Sequence, residues 1–178
     1  MKKNLFQKLL HENKDRIFSY AFYVLRNRED AEDVTQEVFI KLWRHLEKID
    51  MDRCTGWLMK VTHNQCISLT RKRKRSLRNR EGLDKMTIET IPAKADVETD
   101  PGIALNQKET QEVMLSALER LPVKTRSMMI LHYYHGLKYQ MIGEMLNTKV
   151  NTIKVEIHRG KKLLKDILAR EFPERAKG

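Results

Sequence analysis

The segment from Glu29 to Leu46, EDAEDVTQEVFIKLWRHL, constrains the fold more than any other part of the chain. Its apolar residues recur at three- and four-residue steps, which is the spacing of one face of an α-helix. The stripe consists of Ala31, Val34, Val38, Leu42 and Leu46. A helix with one apolar stripe must bury it against other elements, so we expect this helix at the centre of a helical domain.

The opposite face of this helix carries an acidic and amide patch. Asp33, Gln36 and Glu37 stand at i, i+3 and i+4, so they are neighbours on the helix surface. Such a patch is unexpected in a chain with a net charge of +11. From the residues alone two interpretations stay open, a solvated face near the positive end of the helix dipole or a docking surface for a partner.

Composition narrows the class of protein and the kind of partner. The chain has 178 residues, of which 33% are charged and few are Gly or Pro, which is typical of one or two charge-rich helical domains. A pI of about 9.7 favours an anionic partner, with nucleic acid ahead of an anionic membrane surface. Residues 1–14 lack a signal-peptide core, and there is no apolar run of about eighteen residues. We therefore expect a cytoplasmic protein.

The two cysteines do not suggest a metal site. Cys54 and Cys66 are twelve residues apart with His63 between them, whereas a zinc site needs four ligands in short paired spacings. We expect reduced, partly buried thiols and no metal or other cofactor.

The helices on either side of the central segment also follow from periodicity. Residues 4–26 predict one long or two short helices, interrupted around residues 13–15. Asp30 is expected to cap the central helix, and residues 47–56 read as a loop. A third helix is predicted from about Gly56, with Trp57 in the core.

This third helix has a cationic face. Lys60, Asn64, Ser68 and Arg71 recur on one side, and residues 71–80 add seven cations, RKRKRSLRNR. A basic tract that continues directly from a helix predicts a surface that faces nucleic-acid phosphates rather than a solvated tail.

An acidic segment divides the chain into two basic modules. Residues 81–106 contain six acids, two lysines and two prolines, with almost no apolar periodicity, so we predict a linker. The charges of residues 1–80, 81–106 and 107–178 are +9, −4 and +6, which sum to the net +11. We therefore place one domain in residues 1–80 and the other in residues 107–178.

The second module predicts a helix-turn-helix. A helix to Arg120 is followed by Pro122 in the first turn of the next helix, which ends at Gly136. Four methionines are expected as core filling, namely Met114, Met128, Met129 and Met141. A short helix with Gly143 at a close contact, a turn at Asn147, and a long cationic helix capped by Thr148 or Asn151 complete the arrangement. A plain helical bundle would show similar stripes.

Three of these segments resemble one protein family. The central segment DAEDVTQEVFIKLW is similar to the polymerase-binding helix of extracytoplasmic-function (ECF) sigma factors, a group within the sigma-70 superfamily. The resemblance implies that Asp33, Gln36 and Glu37 contact core RNA polymerase, with Trp43 and Arg44 beside them.

The third helix, WLMKVTHNQCISLTRKRKR, resembles the family's −10 promoter-binding helix. This implies DNA contacts by Asn64, Ser68, Arg71 and Arg73. Ser68 departs from the Asp that is common in the family, and Cys54 departs from a common Phe.

The last long helix resembles the family's reader of the −35 element. The implied contacts to bases or backbone are made by Lys154, Val155, His158 and Arg159, and those to phosphates by Lys161 and Lys162. Glu156 stands where a basic residue is common, Val155 where a small hydroxyl residue is common, and Lys149 where a Ser is common. A carboxylate at position 156 would accept from cytosine or orient a neighbouring Arg.

Together these observations predict an all-α protein of two small helical domains joined by a flexible linker, the second a helix-turn-helix. The resemblance implies an ECF-type sigma factor whose partners are core RNA polymerase, promoter DNA and an anti-sigma factor, with no small-molecule substrate. The alternatives are a stand-alone helix-turn-helix regulator that binds DNA without polymerase, and an enzyme such as a nuclease, which would need a catalytic constellation that the sequence lacks.

Overall fold

The computed structural model of the chain describes residues 2–80, 104–171 and 173, and every regular element within them is helical, as predicted. A 3₁₀ turn at Met51–Arg53 precedes the third helix, and a π-helical turn at Ile130–Tyr134 follows the fifth. The helices are α1 (Lys2–Leu25), α2 (Arg28–His45), α3 (Cys54–Arg80), α4 (Ala104–Glu119), α5 (Val123–Met129), α6 (Tyr139–Leu146) and α7 (Val150–Glu171). None of the helices in these residues is long and apolar enough to cross a lipid bilayer.

The chain forms two compact units, which divide between Ala93 and Lys94. That division falls inside the predicted linker, residues 81–106, most of which lies outside the described residues. Helix α4 begins at Ala104, so the last three positions assigned to the linker are helical.

In the first unit, the apolar stripe of α2 is buried between α1 and α3. Ala31, Val38 and Leu42 have no exposed surface. The facing residues are Ile17, Tyr20 and Val24 from α1, and Leu58 and Met59 from α3. Complete burial of such side chains contributes about 1.5–3 kcal/mol each, so this stripe stabilises the domain and places α2 at its centre.

Polar contacts tie α1 to α3. Helix α1 runs without a break through residues 13–15, so the first of the two predicted alternatives, one long helix, is the one that forms. The buried Asn13 amide donates to the Leu9 carbonyl oxygen (2.9 Å), and its side-chain oxygen accepts from the Thr55 hydroxyl (3.2 Å). A second link joins the Tyr20 hydroxyl to His63 Nδ1 (2.9 Å). Asn13 is therefore part of the packed interface, which is why a polar residue here does not end the helix.

Three local expectations in the first unit were wrong. The N-cap of α2 is Asn27, whose side chain accepts from the Asp30 backbone N–H (2.9 Å), so Asp30 is not the cap. Helix α3 begins at Cys54, two residues before the expected start, and it directly follows a 3₁₀ turn within the predicted loop. Trp57 is only half-buried and lies beside the His45 ring, with centroids 6.0 Å apart.

Non-glycine residues adopt left-handed conformations at two corners. Arg26, between α1 and α2, has φ +56°, and Asn147, between α6 and α7, has φ +51°. Asn147 makes the turn predicted from the sequence, and Gly136 (φ +68°) ends the π-helical turn as expected. Asn and Gly adopt this region readily, whereas an Arg does so at a cost of about 1 kcal/mol.

In the second unit, α7 packs against α4, α5 and α6. The core contains Met128, Leu131, Ile142, Ile153 and Ile157, each at most 2% exposed. Met128 and Met129 are buried as predicted, but Met114 and Met141 are 39% and 51% exposed, so they do not fill the core. The prediction failed for these two because composition alone does not specify which side of a helix faces the core.

The ends of the helices in this unit also differ in detail from the prediction. Pro122 occupies the N-cap of α5 rather than its first turn. The Thr148 hydroxyl donates to the Leu146 carbonyl oxygen (3.3 Å), so it completes the turn rather than capping α7.

Two glycines permit close contacts around α7. A Cβ at Gly143 would lie 2.8 Å from the Thr148 carbonyl oxygen, which confirms the close contact predicted there. A Cβ at Gly160 would lie 2.6 Å from Thr125 Cγ2 and would also overlap the Met129 side chain. The approach of α7 to α5 therefore depends on Gly160.

We expect Gly160→Ala to lower the free energy of unfolding of the second unit by about 1–3 kcal/mol, because the added methyl group overpacks the interface between α5 and α7. Thermal unfolding followed by circular dichroism would measure the effect. The matched control is Gly56→Ala in α3, where a Cβ meets nothing within 4 Å and the change should be neutral or stabilising. Equal melting temperatures for Gly160→Ala and the wild type would contradict the close packing.

Candidate functional site

The face of α2 opposite the buried stripe is exposed and mixed in character. Asp33, Gln36 and Glu37 are all exposed, so the acidic patch predicted from the sequence is a surface feature. Ile40 and Trp43 continue the same face and are 45% and 42% exposed, and Arg44 lies beside them. Carboxylates and large apolar side chains thus form one continuous surface, which we call the α2 face.

An apolar groove of about 570 Å³ adjoins the α2 face, between α1 and α2. The Phe6 ring packs edge-on against Trp43 (centroids 5.2 Å apart) and Phe39 (6.3 Å), and Lys2 Nζ lies 5.2 Å from the centre of the Trp43 ring. The groove is lined by Phe6, Leu10, Lys14, Thr35, Gln36, Phe39, Ile40 and Trp43. Gln36 belongs both to the groove and to the acidic patch, so the two form a single site.

The resemblance named Trp43 beside the acidic patch, but Ile40 and the groove were not predicted. Ile40 and Trp43 follow Gln36 at i+4 and i+7, which is the spacing of one helix face, so their exposure was available from the pattern. Phe6 and Leu10 belong to the helical segment predicted for residues 4–26. Their position at a groove depends on how α1 crosses α2, which periodicity does not specify.

The first unit has a second exposed face of interest, the cationic face of α3. Lys60, Asn64, Ser68 and Arg71 are all exposed, as predicted. Leu58, Met59, Thr62 and Cys66 on the other side of the helix are buried. The structure therefore brings Asn64, Ser68 and Arg71 onto one solvent-facing surface.

Arg73 is not on this surface. It lies nine residues after Asn64, which is about two and a half helical turns, so it is on the opposite side of α3. Arg73 Nη2 donates to Asp30 Oδ1 (2.6 Å), and Nη1 contacts the other carboxylate oxygen. The Asp30 side chain is only 12% exposed. The pair thus joins the basic end of α3 to the first turn of α2.

The predicted contact residues of α7 share one exposed face. Lys154, Val155, His158, Arg159, Lys161 and Lys162 are all exposed. Ile153, Ile157 and Gly160 are buried on the opposite side. The short α6, the turn at Asn147 and the long α7 form the predicted helix-turn-helix.

Glu156 lies at the edge of this face and is turned inward. Its side chain is 18% exposed, and Oε2 accepts from the Thr125 hydroxyl of α5 (2.8 Å). Oε1 lies 3.8 Å from Arg159 Nη1, and the Arg159 side chain is 65% exposed. The carboxylate therefore has partners within the protein.

The thiols show no arrangement for metal binding. Cys54 is 1% exposed, and burial raises the pKa of its thiol, so the thiolate that a metal would need is disfavoured. Cys66 is also buried. Among residues 2–80 and 104–171, no three His, Cys, Asp or Glu side chains are grouped closely enough to hold a metal ion.

Comparison with known proteins identifies the family. Residues 9–76 match the family model for Sigma-70 region 2, and residues 111–164 match that for Sigma-70 region 4. The ECF RNA polymerase sigma factor SigW of Bacillus subtilis is 31% identical over 159 residues, which cover 85% of this chain and 82% of SigW.

The chain belongs to the ECF family of RNA polymerase sigma factors.

Another relative agrees with this assignment, and two solved structures share the fold. The ECF sigma factor SigE of Mycolicibacterium smegmatis is 31% identical over 168 residues, which cover 94% of this sigma factor but 63% of SigE. In fold, the chain is similar to the sigma factor RpoE of Bartonella quintana, solved in complex with the anti-sigma factor NepR (TM-score 0.69, 22% identity, 93% and 98% of the two chains). It is also similar to CnrH, solved in complex with the cytosolic domain of CnrY (TM-score 0.64, 18% identity, 95% and 90%).

The two family matches contain all the contact residues that the sequence predicted for this sigma factor. The region 2 match includes the α2 face and the basic face of α3, and the region 4 match includes the exposed face of α7 as far as residue 164. Region 2 therefore precedes region 4 along the chain, in the same order as the candidate faces of α2, α3 and α7.

We expect Arg73→Asp to lower the melting temperature of this sigma factor, because it places two carboxylates together at a site where Asp30 is nearly buried. The cost should be about 1–3 kcal/mol, less than for a fully buried pair since Arg73 is half-exposed. The double variant Asp30→Arg, Arg73→Asp should recover much of the loss. A swap that restores no stability would argue against the ion pair as the role of Arg73.

Proposed function

We propose that this protein is a promoter-recognition subunit that binds core RNA polymerase through the α2 face and the adjoining groove. One observation carries the proposal: exposed Asp33 and Glu37 stand beside exposed Ile40 and Trp43 on one side of α2. Apolar side chains of this size are usually buried, and an exposed apolar patch that is bordered by polar residues is typical of an interaction surface. The neighbouring carboxylates favour a partner with cationic side chains.

The shape of the site supports a helical partner. An open groove between two helices, with aromatic walls and a polar rim, accepts the apolar face of an amphipathic helix. Trp43 and Phe6 supply the aromatic contact area that commonly dominates the energy of such interfaces. A solvated acidic face, the other interpretation of this segment, would not require a groove beside it.

Two further surfaces are proposed to contact promoter DNA. Exposed Asn64, Ser68 and Arg71 on α3 face the −10 element, and Arg73 holds α3 in place through Asp30. The exposed face of α7 reads the −35 element in the major groove. Residues 1–80 and 107–178 are the two corresponding domains, and the acidic segment between them is the tether.

The remaining partners and the location follow from the same proposal. The chain acts with the polymerase in the cytoplasm, takes no small-molecule substrate or cofactor and performs no chemistry, because RNA synthesis belongs to the polymerase. An anti-sigma factor is a proposed regulator, supported by similar folds that were solved with such partners. A stand-alone regulator would bind promoter DNA without polymerase and would have no use for the α2 face.

We expect the double variant Asp33→Lys, Glu37→Lys to lose association with core RNA polymerase. Both side chains are exposed, so the domain should fold while the attraction for a cationic partner becomes repulsion. Co-purification with core enzyme would measure the loss. The matched control is Glu12→Lys, Asp15→Lys, which makes the same charge change at exposed positions of α1 outside the groove.

A second variant separates charge from apolar contact at this site. Ile40→Ser removes exposed apolar surface from the groove without changing the net charge, and it should weaken polymerase binding by about tenfold. Undiminished binding by both the charge-reversed variant and Ile40→Ser would refute the α2 face as the docking surface.

Two substitutions in α7 should differ in their effects on DNA. Arg159→Ala should weaken binding to the preferred −35 sequence selectively, since a bidentate Arg–guanine contact is worth about 1–3 kcal/mol of discrimination. Lys162→Ala should weaken all sequences alike and lower the salt slope by about one. Affinities of holoenzyme for matched and mismatched promoters across a salt series would measure both effects. Uniform losses in both variants would contradict a base contact by Arg159.

A further inference from the structure

The inward turn of Glu156 has a consequence for sequence recognition by α7. Glu156 lies between Ile153 and Gly160 on the side of α7 that packs against α5, and only 18% of its side chain is exposed. Thr125, its hydrogen-bond donor, is 2% exposed. A carboxylate with so little exposure is fixed by its contacts rather than free to reach across a DNA groove.

The two oxygens of this carboxylate have different partners. Oε2 accepts from the Thr125 hydroxyl at 2.8 Å, which anchors the side chain to α5. Oε1 faces Arg159 Nη1 at 3.8 Å, one turn further along α7. The Arg159 side chain is 65% exposed, and Glu156 is the carboxylate that forms an ion pair with its guanidinium. Gly160 keeps α5 close enough for the anchor, because a larger residue there would overlap Thr125.

We propose that Glu156 is a positioning residue for specificity: anchored by Thr125, it holds Arg159 in the orientation that reads one base pair of the upstream promoter element. This inference rests on the proposed function of α7 in DNA recognition. An arginine held before binding loses less side-chain entropy when it pairs with guanine, and it is less free to contact phosphate instead.

The negative charge also sets a penalty for non-specific binding. A carboxylate near DNA repels phosphates on every sequence, so it weakens sequence-independent affinity. The bond between Arg159 and the correct base offsets this repulsion only at the preferred site. Because this repulsion is equal on every sequence, it lowers affinity without changing the preference, and the preference depends on the orientation of Arg159.

Glu156→Gln tests this role with little change in shape. The amide oxygen can still accept from Thr125, while the charge that attracts Arg159 is gone. The matched control is Asp166→Asn, which removes an exposed carboxylate from the same helix two turns beyond Arg159. The full-length chain would be assembled with core polymerase, and promoter fragments with a randomised upstream element would be selected and sequenced.

We expect the wild type to enrich a defined upstream sequence, and Glu156→Gln to lose about five- to tenfold of the preference at one base pair, the one read by Arg159. Asp166→Asn should keep the wild-type preferences. Thr125→Val, which removes the anchoring hydroxyl, should relax the same base pair as Glu156→Gln.

The outcomes separate this inference from the proposed function. A wild-type holoenzyme that enriches no upstream sequence would refute DNA reading by α7. Clear enrichment by the wild type, with identical preferences for Glu156→Gln, would overturn the positioning role alone. A relaxed preference shared by Asp166→Asn would also overturn it, because loss of any negative charge would then suffice.

Discussion

Burial of one stripe of α2 between α1 and α3 is the constraint on which the rest of the first domain depends. Ala31, Val38 and Leu42 have no exposed surface, so the rotation of α2 about its axis is fixed by packing. The side opposite this stripe must then face solvent, and it carries acidic and apolar residues together. The Asp30–Arg73 pair adds a polar link from the first turn of α2 to the basic end of α3. One buried interface thus orients both the proposed polymerase-binding face and the helix proposed to contact DNA.

In the second domain, close packing at a glycine orients the helix proposed to contact DNA. Its long helix lies against α5 through Gly160, and the absence of a side chain there permits the Thr125–Glu156 hydrogen bond. Close backbone packing on one side of α7 and a row of cations on the other are therefore linked by Glu156, which lies at the boundary between them. The contact between α7 and α5 therefore contributes both to the stability of the domain and to the proposed DNA recognition.

Periodicity was sufficient to predict what depends on a single helix. The stripe of α2, the exposed cationic faces of α3 and α7, and the turn at Asn147 all follow from residue spacing and local conformational preference. Features that involve two helices were not predictable in this way. The partner of Asp30 is forty-three residues away, the groove depends on the crossing of α1 and α2, and the inward turn of Glu156 depends on Thr125. Met114 and Met141 show the same limit, because an apolar residue near the edge of a stripe is assigned to core or surface only by its neighbours.

The two left-handed corners limit how this protein can diverge. Arg26 directly precedes the turn into α2, and Asn147 directly precedes the turn into α7, so each functional helix takes its direction from one residue with positive φ. Valine, isoleucine and threonine are poorly tolerated in that conformation, whereas glycine, asparagine and aspartate are accepted. Few residue types should therefore be accepted at these two positions, even where neighbouring surface residues vary widely. A glycine at position 26 would remove the local strain. It would also give the backbone at this corner more freedom, so the angle between α1 and α2 would be less sharply defined.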